Sequence, residues 1–249
     1  MPAGDRCRGA APGPVSRGPL RGSCHSARRR SDMKQPKISD SAVRRLSLYL
    51  RALRELDRGG REVISSRDLA RRCGATSAQI RKDLSLFGSF GKRGRGYSVR
   101  ELVRTLEQIL GLDRRWRVAL VGVGKIGSAL LGYRDLRRRG FDVVAAFDTA
   151  PSKVGTEVSG VRVSPLDGLE GTVRATGVEI AIIATPPESA QAVTTRLCEA
   201  GVSAILNFAP VELSVPPEVA VRTMDVVLEL EGLCYLCSGE ERPELEALR

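Results

Sequence analysis

The run Arg117-Val-Ala-Leu-Val-Gly122-Val123-Gly124-Lys125-Ile126-Gly127-Ser-Ala-Leu sets three glycines between a β-branched stretch and the start of a helical pattern. Each glycine there has a task. The first makes a tight turn, the second lets backbone approach a diphosphate, and the third lets helix and strand pack closely. The N–H groups opening the following helix then attract phosphates. Asp148 stands 21 residues beyond Gly127, at the end of the next strand pattern. A carboxylate there accepts hydrogen bonds from an adenosine ribose and repels a 2′-phosphate, which points to NADH or NAD+ rather than their phosphorylated counterparts. Two further loops, Thr185-Pro186-Pro187 and Asn207-Phe208-Ala209-Pro210, follow later strand patterns and are expected to line the nicotinamide end. An α/β domain that binds another nucleotide, such as coenzyme A, or none at all, stays open as an alternative.

Turning such a dinucleotide over requires a proton carrier beside the nicotinamide. The single histidine, His25, lies in a Gly-, Pro- and Arg-rich leader. The C-terminal half offers only Lys125, inside the glycine loop, and Lys153; Tyr133 is followed four residues on by Arg137, so no Tyr-x-x-x-Lys pair forms. The site is therefore better suited to measuring redox state than to catalysis, with a small NAD-dependent oxidoreductase as the competing reading. Cys234-Tyr-Leu-Cys237 has no second pair of ligands and falls in an apolar helix pattern, so it reads as packing cysteines; no metal site is expected. The six scattered cysteines read as free thiols.

The elements that must position these residues follow from the pattern. Residues 1–32 have almost nothing apolar to bury and are expected to be a disordered basic tail, with Met33 resembling a natural start. Residues 33–113 carry 18 basic and 9 acidic side chains, whereas 114–249 carry 15 and 18. A basic folded segment joined to a mildly acidic one suggests a nucleic-acid reader attached to something with another job. After Trp116, short β-branched runs (117–121, 142–147, 179–184, 204–207) alternate with helices, which predicts a doubly wound parallel sheet over 114–222. A final apolar helix from Met224 to Leu236, within 223–249, is too sparse in polar residues to stand bare in water and is expected to pack on a partner subunit. No apolar run reaches the roughly 18 residues needed to span a bilayer, and the leader lacks a secretory core, so a cytoplasmic protein is expected.

The 33–113 segment reads as a helix over 39–57, a short helix over 67–73, a break at Gly74, a third helix over 76–87 and another over 99–110. Ala70, Gly74 and Ile80 supply the small residue, turn and core plug of a helix-turn-helix. On its solvent side Thr76, Ser77, Gln79, Arg81 and Lys82 offer donors and positive charge to base edges and phosphates. Gly91-Lys92-Arg93-Gly94-Arg95-Gly96-Tyr97 then suits a narrow basic wing for a minor groove or backbone. A winged helix-turn-helix on double-stranded DNA is the expectation, against a solvated basic hairpin on an unrelated helical domain.

With those residues in view, the chain resembles the Rex family of redox-sensing transcriptional repressors from Met33 onward. The likeness rests on Ile80-Arg-Lys-Asp-Leu-Ser-Leu-Phe-Gly88-Ser-Phe-Gly91, the wing Arg93 to Tyr97, the fingerprint Val121 to Leu130, and Ile205-Leu-Asn-Phe-Ala-Pro210. The resemblance implies a homodimer whose C-terminal helices are exchanged between subunits. It also implies release of operator DNA when NADH binds, with NAD+ competing. By position it assigns Lys82 to bases, Arg81 to phosphates and Arg93 to the minor groove. Arg51, Tyr133 and Asp225 match positions where one carboxylate changes partners between two states.

Overall fold

The structure is a computed structural model describing residues 39–88, 90 and 96–238. The leader, the basic wing residues and the last eleven residues lie outside that set.

Each helix of the first lobe begins where a hydroxyl can accept from the exposed N–H groups of its first turn. Ser39 caps α1 (Asp40–Arg58), Ser65 caps α2 (Ser66–Cys73), Thr76 caps α3 (Ser77–Ser85) and Ser98 caps α4 (Val99–Ile109). Gly74 takes the left-handed conformation, φ 62°, and so turns the chain between α2 and α3. Leu46, Tyr49, Leu53, Leu69, Ile80 and Leu106 close a core between the four helices. Between the first two helices, Val63–Ile64 forms β1 and pairs antiparallel with β2 (Tyr97–Ser98). Two residues are too few for a period-2 signal. The base of the wing is thus clamped to β1, and closely: a Cβ on Gly96 would meet the Ile64 carbonyl oxygen at 2.6 Å.

The second lobe is a seven-stranded sheet in the order β5-β6-β4-β3-β7-β8-β9, parallel except for β5. Its strands are β3 (Trp116–Val121), β4 (Phe141–Asp148), β5 (Glu157–Val158), β6 (Val161–Pro165), β7 (Ile180–Ile183), β8 (Ala204–Asn207) and β9 (Ala220–Thr223). Helices α5 (Lys125–Leu131), α6 (Arg134–Arg138), α7 (Leu169–Thr176) and α8 (Pro187–Glu199) connect them. The four expected strands form its middle. The other three lie outside that middle and lack a continuous apolar run: β5 has only two residues, β6 alternates in burial and β9 is largely exposed. Strand order reverses at β3, so the loops after β3 and β7 open onto a crevice.

A few contacts join the lobes. The Trp116 indole N–H donates to the Gly111 carbonyl at 2.7 Å, and Arg114 lies 3.6 Å over the Trp116 ring while gripping Glu179. A second contact runs from Arg222 on β9 to Asp40 on α1, 3.2 Å apart, with the Asp40 side chain 86% exposed.

The last helix, α9 (Val226–Cys237), starts two residues later than the periodicity suggests. Asp225 turns its side chain back to accept from the Val227 and Leu228 N–H groups and so caps the helix, which excludes Met224. The apolar residues of α9 from Val226 to Leu236 are between 54 and 71% exposed. They form a largely exposed apolar surface.

Candidate functional site

A cleft of about 480 Å³ opens at the strand reversal, lined by Gly122, Gly124, Asp148, Lys153, Thr185 and Pro186 among others. The glycines divide their work as steric demand dictates. Gly122 has φ +94°, and a Cβ there would lie 2.5 Å from the Ala184 carbonyl oxygen. A Cβ on Gly127 would collide with the Gly122 carbonyl oxygen. Those two positions are dictated by the protein's own packing. At Gly124 a Cβ would meet nothing within 4 Å, so its missing side chain leaves empty cleft rather than relieving a protein contact. Gly124 also caps α5 without any side-chain hydrogen bond.

Asp148 ends β4 at 8% exposure. One oxygen accepts from the Ala150 N–H at 2.8 Å; the other accepts from the Val123 N–H at 2.7 Å and the Lys153 ammonium at 3.1 Å. Burial pushes this carboxyl upward, but the two backbone donors and Lys153 outweigh it and hold it below the usual carboxylate range. It is a fixed negative charge at the cleft wall. The sequence gives no signal for Lys153 as its partner, because it lies five positions further on, across a loop. Across the cleft, the Thr185 hydroxyl oxygen is buried with no hydrogen-bond partner in the protein, as expected of a donor awaiting a ligand.

The remaining expected residues are placed differently. Val123 is buried, while Lys125 and Ile126 are exposed at the start of α5. Asn207 and Ala209 are buried and outside the cleft lining. The Asn207 amide donates to the Ala209 and Val211 carbonyls and accepts from the Ala209 N–H, holding the loop after β8 in shape. Phe208 is half-buried against a smaller cluster with Val118, Leu120 and Ile182. Arg51 is exposed and 3.9 Å from Glu55, Tyr133 is 56% exposed, and Asp225 caps α9; the structure does not bring these three together within one subunit.

On the first lobe, α3 presents Thr76, Arg81 and Lys82 to solvent, with Ser77 and Gln79 half-buried. The Thr76 hydroxyl accepts from the Gln79 N–H, and Arg81 leans on the Ser66 hydroxyl at 3.2 Å. Lys82 has no side-chain partner among the described residues. Lys92, Arg93 and Arg95 lie outside those residues. Beneath this face is a cluster that was not anticipated. Asp83, 2% exposed, takes two bonds from the Arg45 guanidinium (2.7 and 2.9 Å), one from the Tyr49 hydroxyl (2.9 Å) and one from the Gln79 amide (2.6 Å). The Arg45 bond above all holds Asp83 below the ordinary carboxylate range, against burial. Burial and the bond to Asp83 push the Tyr49 phenol well above its ordinary value, so it remains a neutral donor. An acid one residue before the core residue Leu84 was the available signal; its partners, 34 and 38 residues earlier, left none.

Residues 37–85 match the pattern described as "Putative DNA-binding protein N-terminus", and 113–211 match "CoA binding domain". The redox-sensing transcriptional repressor Rex of Desulfitobacterium hafniense is 48% identical over 203 residues, 82% of this chain and 97% of its own. That of Carboxydothermus hydrogenoformans is 49% identical over 203 residues, 82% and 98% of the two chains. The chain belongs to the Rex family. Rex proteins are transcriptional repressors, and the chain is accordingly a regulator and not an enzyme. Among solved structures, the Rex-family repressor RSP in complex with β-NAD+ and operator DNA superposes with a TM-score of 0.79 at 35% identity, covering 82% of this chain and 94% of that one. RSP in complex with β-NADH gives 0.75 at 34%, covering 82% and 96%. An N-terminal DNA-binding lobe followed by a Rossmann-like parallel sheet is the architecture described above.

Proposed function

We propose that two copies of this chain hold operator DNA through their α3 helices and release it when NADH fills the glycine-lined clefts, so that transcription follows the NADH/NAD+ ratio. The observation that carries this reading is that one chain holds both an open cradle at Gly124 beside a fixed carboxylate and a helix with exposed cationic side chains. Gly122, Gly124 and the first N–H groups of α5 would hold the diphosphate. Asp148 would take the adenosine ribose and disfavour a 2′-phosphate. Thr185, Pro186 and Phe208 would face the nicotinamide end. The bound dinucleotide supplies a ring that is cationic when oxidised and uncharged when reduced. A closing apolar pocket favours the uncharged form, because an ion that loses water without a partner is costly. That difference lets one ligand select between two dimer arrangements.

The partner is a second copy, with α9 exchanged between subunits. Full burial of a leucine side chain contributes about 1.5–3 kcal/mol, and α9 exposes Leu228, Leu230, Leu233 and Leu236. Both α9 N–H groups bond the same Asp225 oxygen, Oδ1, which leaves Oδ2 for a donor from the other subunit; Tyr133 and Arg51 are the candidates. The exposed Arg222–Asp40 pair is worth no more than about 1 kcal/mol, so it does not lock the lobes against such a shift. No helix among the described residues is long and apolar enough to cross a membrane. Reading operator DNA would place the protein in the cytoplasm.

Electrophoretic shift of an operator duplex is the test: micromolar NADH should release the protein and NAD+ should not, whereas operator affinity indifferent to NADH would end the reading. Leu230→Asp combined with Leu233→Asp should yield monomers in analytical ultracentrifugation and weaken operator binding at least about tenfold, since each half-site is then held alone. A stable dimer in that variant would remove α9 from the interface.

A further inference from the structure

The amide of Gln79 is not free to turn. It sits in the first turn of α3, half-buried, with its Nε2 2.6 Å from the Asp83 carboxylate. A carboxylate attracts the NH2 end of an amide and repels its oxygen, so the charge on Asp83 decides which end faces inward. Asp83 is in turn fixed by Arg45 and Tyr49 from α1. Asp83 uses one Nε2 hydrogen, and the second hydrogen and Oε1 have no partner among the described residues, so the amide keeps a donor and an acceptor to offer. An adjacent donor and acceptor match adenine in the major groove, where N7 accepts and N6–H donates.

We propose that Gln79 reads one A·T pair of the operator and that Asp83 is the positioning residue that presents its amide edge. This rests on the reading that α3 enters the major groove. The neighbours on α3 are suited to other contacts: the Thr76 hydroxyl is engaged as the helix cap, and Arg81 and Lys82 carry charge to guanine or phosphate. The Arg45–Asp83–Tyr49 cluster thus serves recognition as well as packing, because it orders a side chain that would otherwise sample many rotamers before binding.

The test is selection of duplexes from a randomised pool by the full-length chain without NADH. The wild-type protein should enrich a consensus containing an A·T pair at which Gln79→Ala loses roughly 10- to 100-fold of its preference while other positions hold. Gln79→Glu, an acceptor without donors, should shift that position towards C·G, whose cytosine N4 donates. Asp83→Asn should lose preference at the same position, and the double variant should add nothing further there, the signature of two residues acting as one unit. A Gln79→Ala consensus identical to wild type, or one weakened in proportion at every position, overturns the proposal even if Asp83→Asn folds poorly. If wild-type protein enriches no consensus, operator reading itself fails, and this inference with it.

Discussion

Gly124→Ala should melt within about 2 °C of the parent protein yet bind NADH at least about 100-fold more weakly, because the added methyl occupies cleft and touches no protein atom. Gly127→Ala should do the opposite in order of cause. Its methyl collides with the Gly122 carbonyl inside the fold, so the loop must shift, at a cost of about 1–3 kcal/mol or more, and binding is lost as a consequence. Thermal denaturation and NADH titration of both variants separate the two roles. Unaltered affinity in Gly124→Ala would mean that the diphosphate does not lie over that residue. Such a variant should also remain on its operator at NADH concentrations that strip the wild type, since a cleft that cannot be filled cannot select a dimer state.

The second large effect concerns the first lobe. Asp83→Ala leaves the Tyr49 hydroxyl buried without its acceptor and the Arg45 guanidinium without its counter-ion. Breaking a buried pair typically costs 3–5 kcal/mol; Arg45 retains 31% exposure and can turn to water, so about 3 kcal/mol is expected. For a helical lobe of this size that is a fall of roughly 12–24 °C in its melting transition. The same pair sets a pH dependence. The folded carboxyl lies below its unfolded value of about 3.9, so its stabilisation is complete above that pH and is lost as pH falls through the folded value. Acid denaturation of wild type should therefore steepen below about pH 4, and Asp83→Ala should flatten that limb. A variant within 1 kcal/mol of wild type, with an unchanged acid limb, would show that the cluster stores little energy.

The two lobes differ in how far the sequence foretold them. Interior strands β3, β4, β7 and β8 were legible because strands buried on both faces are written in continuous Val, Ile and Ala. β6 and β9 lie further out, carry arginine, and exist because a neighbour's backbone offers hydrogen bonds, which composition does not record. Gly122, Gly124, Asp148 and Thr185, singled out by the glycine loop and the strand ends, line one cleft. Asn207, singled out on the same ground, does not line that cleft, and its amide ties its own loop instead. Asp83 illustrates the converse. An acid beside core leucines signals a buried partner, but which partner depends on how α1 crosses α3.

The central claim is that one molecule couples two sites. Binding linkage is reciprocal: whatever factor NADH removes from operator affinity, operator must remove from NADH affinity. NADH dissociation constants measured by nicotinamide fluorescence, without DNA and with saturating operator duplex, test this directly. NADH should bind more weakly on the duplex, by at least about tenfold and by the same factor found from the DNA side. Identical NADH affinity in the two conditions would contradict it.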